Sequence, residues 1–192
     1  MNCKQLPEHY RLDRTVDLAK DKKRLIAINM GCLLLMGLLE LPLFMGWVQT
    51  DNFALLGGNI LAALFALLAG TALVLTVHEL VHGLFFYIYS RERVSYGLSL
   101  TYAYACNPHY HFGRNSFMVI GLAPAVLVNG ALIAALSMTS GLTFMVLYQI
   151  FVMHFAGCIG DFYVCGLLMA RYPADTLIRD TGTGMEFYMP HS

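Results

Sequence analysis

Residues Leu73–Tyr89 read LVLTVHELVHGLFFYIY. The run contains one acid, Glu79, no Lys or Arg, and no proline. It lies inside a longer apolar segment, Phe53–Tyr89, which exceeds the roughly 20 residues that cross a bilayer core. Three more segments are long enough: Leu25–Val48, Ser116–Met138 and Leu142–Ala170. Inside all four, the only charged residues are Glu40, Glu79 and Asp161. Charge within a span is expensive, so each of the three needs a reason to be there. The expected fold class is an all-α polytopic membrane protein of about four transmembrane helices with small cytoplasmic β elements.

Working outward, the composition agrees. Of 192 residues, 58% are apolar and 12% charged, about half the roughly 25% usual for soluble domains. Mean hydropathy is +0.61. A disordered tail, a nucleic-acid-binding arm and most soluble enzymes are excluded. The expected surroundings are a lipid bilayer, with no nucleic acid as partner. Lys20, Lys22, Lys23 and Arg24 precede the first span, and the first loop holds only Asp51. Arg91, Arg93 and Arg114 lie in the second loop, and Arg171 and Arg179 in the tail. The positive-inside rule puts both termini and the second loop in the cytoplasm of a multi-pass cell-membrane protein. The first 24 residues are too polar for a cleavable signal peptide, so the first span is expected to act as an uncleaved anchor. No repeat or linker interrupts residues 1–192, which read as one membrane domain with a cytoplasmic tail at 171–192. Cys3, Cys32, Cys106, Cys158 and Cys165 show no CxxC spacing, and no disulfide framework is expected.

Two segments outside the spans look β-like. Val94–Ala105 is rich in strand formers, and Thr176–Met189 reads as two short strands around a glycine-containing turn. The tail includes Asp180-Thr181-Gly182, a triplet familiar from aspartic proteases; without a partner triplet it reads as a hairpin turn.

His78-Glu79-Leu80-Val81-His82 is an HExxH motif. Four residues are one helical turn, so both imidazoles face one way and can share a metal, while Glu79 stands beside them to handle water. The bland alternative is a pair of satisfied buried histidines beside a neutral acid. It leaves three ionisable residues in one membrane turn without a task.

A zinc site needs a third protein ligand, and Asp161 is the candidate. If the second span starts at Asn59, His78 lies 19 residues in, and Asp161 lies 19 residues beyond Leu142. At about 1.5 Å per residue, both reach about 28 Å from the outer surface. His154, Cys158, Asp161 and Cys165 recur on one helical face. Two roles are open to His154: supporting the site, or replacing Asp161 as ligand. A straight helix puts it about 10 Å above Asp161, which disfavours ligation. On the third span, Pro124 frees a backbone carbonyl near the same depth. Asn129 is a candidate donor to substrate or oxyanion, or a packing residue. Glu40 is expected at the interface without a catalytic role. Cys106–His111 reads as a turn after a strand more readily than as a metal site at His109 and His111.

HELVHG on a span, a proline-containing third span and Gly160-Asp161 on a fourth together resemble the site-2-protease-like (M50-like) membrane zinc metalloproteases. The closer resemblance is to the DUF3267 family of zincin peptidases, from Leu6-Pro7 to the Asp180–Gly184 tail. The match departs from the site-2 pattern at Cys158-Ile159-Gly160-Asp161-Phe162 and at Ala123-Pro124…Asn129.

The function expected is intramembrane zinc proteolysis of membrane-embedded or juxtamembrane peptide bonds. His78, His82 and Asp161 would hold Zn²⁺ and Glu79 would be general base, with His154, Asn129 and Pro124 as supporting or substrate-positioning residues. The alternative is a non-catalytic metal-binding membrane protein, a regulator or assembly factor on a zincin scaffold. A small ion transporter suits a single concentrated motif less well.

Overall fold

A computed structural model describes residues 1–17, 20–46, 56–98, 103–182 and 184–191. Asp51, the ends of the first two spans at 47–48 and 53–55, and 99–102 of the β-like segment lie outside the described residues.

The chain is mostly helical. In order, its elements are β1 (Tyr10–Val16), α1 (Lys22–Phe44), α2 (Leu56–Ser90), β2 (Ser95–Leu98), β3 (Ala103–Cys106) and β4 (Phe112–Gly113). There follow α3 (Arg114–Ser137), α4 (Gly141–Gly157), α5 (Ile159–Arg171), β5 (Leu177–Asp180) and β6 (Met185–Pro190). Among the described residues, four helical stretches are long and apolar enough to cross a membrane: Lys22–Phe44, Ile60–Ser90, Arg114–Ser137 and Gly141–Arg171.

The fourth stretch departs from a straight helix. It is broken at Cys158, whose N–H reaches both His154 O and Phe155 O. Gly157 and Gly160 flank the break, and glycine lowers the cost of leaving helical geometry. Asp161 therefore sits in the first turn of a separate helix, α5, where the exposed N–H groups favour a negative side chain.

Two compact units make up the chain. The first comprises Met1–Ile28, Glu79–Pro124 and Gly160–Ser192. Its sheet has the order β1-β6-β5-β4 and is antiparallel throughout. Strand alternation sends Ile178 and Phe187 to one face, where they join Phe86, Phe117, Ile120 and Leu168 from the helices. Their neighbours Leu177 and Tyr188 point the other way and pack with Tyr10 beneath Cys3 and Leu6. The sheet is thus covered on both faces, with Phe112, Leu177, Ile178 and Phe187 fully buried. Burying each such side chain contributes roughly 1.5–3 kcal/mol.

The expected tail hairpin is β5–β6. In its turn the Thr181 N–H donates to Gly184 O, and Gly182 takes φ +85°, which favours glycine. Strands β1 and β4 were not expected from the sequence. In β1 the buried ends, Tyr10 and Val16, enclose the charged RLDR stretch, and β4 is only two residues long. A second, two-stranded sheet pairs β2 with β3 within the expected β-like segment.

The second unit comprises Asn29–His78 and Ala125–Ile159. Helices α2 and α4 approach closely at Gly70, where a Cβ would come within 2.5 Å of Ile150 Cδ1. Polar contacts tie α4 to α1: Gln149 Nε2 donates to Glu40 Oε2 at 3.3 Å, and the Tyr148 hydroxyl donates to the Leu39 carbonyl. Much of the helical surface is apolar and exposed, including Leu61, Phe65 and Leu68 on α2.

Candidate metal centre

Helix α2 carries His78, Glu79 and His82 without a break, so the two imidazoles stand one turn apart on the same face. Glu79 is half-buried between them in sequence. Gly83 follows at once, and its lack of a side chain has a purpose. A Cβ there would meet the Tyr96 hydroxyl oxygen at 1.9 Å. Strand β2 therefore lies against α2 directly beside the motif.

The ring of His82 is held at both ends. Its Nδ1 lies 2.9 Å from the carbonyl oxygen of Ile120 on α3. That carbonyl is available because Pro124, four residues on, has no N–H to close the helical ladder. A carbonyl only accepts, so Nδ1 carries a proton, and in the neutral ring Nε2 is the acceptor nitrogen. Nε2 lies 3.6 Å from Asp161 Oδ1. At that distance the two atoms are joined either by a second ring proton, as an ion pair, or by a metal cation. Two ligand atoms on one zinc stand about 3.4 Å apart, given bond lengths near 2.1 Å and tetrahedral geometry. The donor chemistry fits zinc.

Pro124→Ala gives an expected outcome. The restored N–H competes with His82 for the Ile120 carbonyl. Zinc affinity falls several-fold, less than the roughly 10–100-fold typical of deleting an outer hydrogen-bond partner, because a carbonyl can accept twice. Chelator competition measures it, and unchanged affinity removes Pro124 from the site's support.

The other histidine has different neighbours. His78 Nδ1 lies 3.1 Å from His154 Nε2. His154 Nδ1 lies 2.9 Å from Asn129 Oδ1, and Asn129 Nδ2 donates to Ala125 O at 2.7 Å. The Cys158 thiol donates to the His154 carbonyl at 3.2 Å. His154 and Asn129 are both buried. The Asn129 amide is thereby engaged with Ala125 and His154. Its Oδ1 faces a histidine and its Nδ2 a backbone carbonyl, contacts the sequence did not announce.

Among the described residues, His78, His154 and Cys158 offer ligand atoms within 4.8 Å of one another, and His82 lies beside Asp161. His109 and His111 form no such group there. His111 instead pairs with Cys3 through a β-bridge, and the expected turn follows β3.

Asp180 was missed as a site neighbour. It begins the tail turn, with its Oδ1 accepting from the Gly182 N–H at 2.8 Å. Burial first, then Glu79 and Asp161, push its carboxyl up to about 7, against the opposing pull of the Gly182 N–H and His82. Only the pairing of β5 in the sheet brings it there. The nearby Cys106 thiol is pushed up to about 11 by burial and by Asp180, so it stays protonated.

Asp180 carries a pH prediction. Its folded pKa exceeds the ordinary value of 3.8, so the folded chain keeps a proton that the unfolded chain releases. The resulting stability is full below about pH 4 and is lost as pH rises through about 7. In zinc-free protein, the thermal midpoint is expected to fall by several degrees between pH 5 and pH 8, and the fall to flatten in Asp180→Asn. Equal slopes in both proteins would sink the assignment.

No curated protein and no solved structure shows a match to the chain. A family model does match, over residues 71–177, which is more than half of the chain and includes both motif histidines, Glu79, Asn129, His154 and Asp161. The chain belongs to the DUF3267 family, described as "Putative zincin peptidase".

Proposed function

We propose that this chain is an intramembrane zinc endopeptidase that cleaves membrane-embedded or juxtamembrane peptide bonds. Zinc is the cofactor that the family implies, and His78, His82 and Asp161 would hold it. The observation that carries the reading is the approach of His82 Nε2 to within 3.6 Å of the Asp161 carboxylate, one turn after His78, with Glu79 alongside. Four long apolar helical stretches and their exposed apolar side chains support a multi-pass placement in the cell membrane. The flanking Lys and Arg residues support cytoplasmic termini.

Zinc, when bound, supplies Lewis acidity that polarises a carbonyl and acidifies water. Glu79 takes the proton from the attacking water and delivers a proton to the leaving amine. His82 keeps its ring fixed through the Ile120 carbonyl throughout. The β2–β3 sheet is two-stranded among the described residues, and Tyr96 seats it on α2 beside the motif. An unwound substrate segment would add to its edge as a further strand, with main-chain hydrogen bonds supplying affinity.

The test is cleavage of a single-pass membrane substrate library by purified protein, with and without a chelator. Chelator-sensitive cleavage that returns with added zinc is expected. Stoichiometric zinc without any cleavage would favour a non-catalytic metal-binding protein.

A further inference from the structure

We propose that Asn129 and His154 are positioning residues that set which nitrogen of His78 carries the proton, and so make its Nε2 the nitrogen suited to a metal. The proposal rests on the reading of His78 as a zinc ligand and adds the device that orients it.

The argument starts at a backbone carbonyl. Ala125 O can only accept, and the Asn129 side chain meets it at 2.7 Å through Nδ2. A flipped amide would set oxygen against oxygen at that distance. The amide orientation is therefore dictated, and Oδ1 is the atom that faces His154. Oδ1 has no proton to give, so His154 Nδ1 must be the N–H donor across 2.9 Å. A neutral imidazole has one N–H, which leaves His154 Nε2 as an acceptor. His78 Nδ1 stands 3.1 Å from it and must donate. In the neutral ring the second nitrogen of His78, Nε2, is then the acceptor nitrogen.

Proton direction thus runs along a chain of four groups, His78 to His154 to Asn129 to Ala125. His154 and Asn129 are each only 3% exposed, so bulk water has little access to reverse the order. The two metal-facing histidines obtain the same tautomer by different means. His82 uses a carbonyl freed by proline, and His78 uses a side-chain relay. The relay also gives His154 a task other than ligation. A doubly protonated His154 would donate at both ends, turn the His78 proton to Nε2 and abolish ligation there. Metal-bound histidines in general lose about 10–100-fold in metal affinity when such an outer partner is removed.

Two measurements on the full-length chain in detergent test this. The first is the ¹⁵N spectrum of metal-free protein with labelled histidine, with His78 and His154 assigned through their Gln variants. The expected pattern is a protonated Nδ1 and an unprotonated Nε2 at both residues. A protonated Nε2 at His78 overturns the relay, and this readout stands even if the wild type binds no zinc, which would defeat the ligand reading alone. The second is zinc affinity by chelator competition. His154→Leu, which has no acceptor, should keep one zinc per chain at about 10–100-fold weaker affinity. His154→Gln, whose Oε1 can take the place of Nε2, should recover most of that loss. Unchanged affinity in the Leu variant overturns the proposal. So does loss of all zinc in both variants, which would make His154 a ligand. If His154→Leu does not fold, Asn129→Leu is measured in its place, with the same expected weakening and the same overturning result.

Discussion

Glu79→Gln is expected to cut peptide-bond hydrolysis by about 10³-fold or more while zinc stays at about one per chain. The substitution keeps the size of the side chain and removes its basicity. General acid–base groups contribute about 10²–10⁴-fold, and Glu79 serves both proton transfers in the proposed reaction, so a loss in the upper part of that range follows. His78 and His82 keep their places, because α2 runs through all three residues unbroken. Cleavage rates and zinc content are read from the same preparation. Equal cleavage by wild type and variant would remove Glu79 as the base.

Asp161→Ala is expected to act on the metal itself. It removes the carboxylate that lies 3.6 Å from His82 Nε2. Zinc affinity should fall by more than the roughly 100-fold that bounds the loss of an outer partner, and cleavage should drop to background with it. The contrast between the two variants separates the roles: Glu79→Gln loses rate with zinc kept, and Asp161→Ala loses zinc first. Full zinc occupancy at wild-type affinity in Asp161→Ala would take Asp161 out of the ligand set.

Much of the helical framework was legible in the residues, because twenty or more mostly apolar residues with at most one charge leave few alternatives. The tail hairpin was legible too, since its strand formers bracket a glycine turn. What was not legible depended on the course of the chain in space. The charged middle of β1 conceals a strand whose partner, β6, lies at the far end of the sequence. The fourth span read as one straight helix, and that arithmetic set His154 about 10 Å from the Asp161 level. The structure breaks that helix at Cys158, and His154 meets His78, a contact the arithmetic could not foresee. HExxH spacing announces two imidazoles on one face, yet it says nothing of what holds their Nδ1 atoms. Those partners, Ile120 O and His154 Nε2, come from other helices. Pro124 was the most informative of the weaker signals. A missing N–H can be counted from sequence, although the group that takes the vacated carbonyl cannot.

The four-stranded sheet has a consequence for membrane topology that is independent of any charge rule. Strand β1 precedes the first apolar helix, β4 lies between the second and third, and β5 and β6 follow the last. They are joined by direct backbone hydrogen bonds, and hydrogen-bonded strands cannot stand on opposite faces of a bilayer. Any route the chain takes through a membrane must therefore return it to its starting side twice, once before β4 and again before β5. The number of crossings on each excursion is even. Parity of traversal, which loop charges only suggest, is imposed by strand pairing.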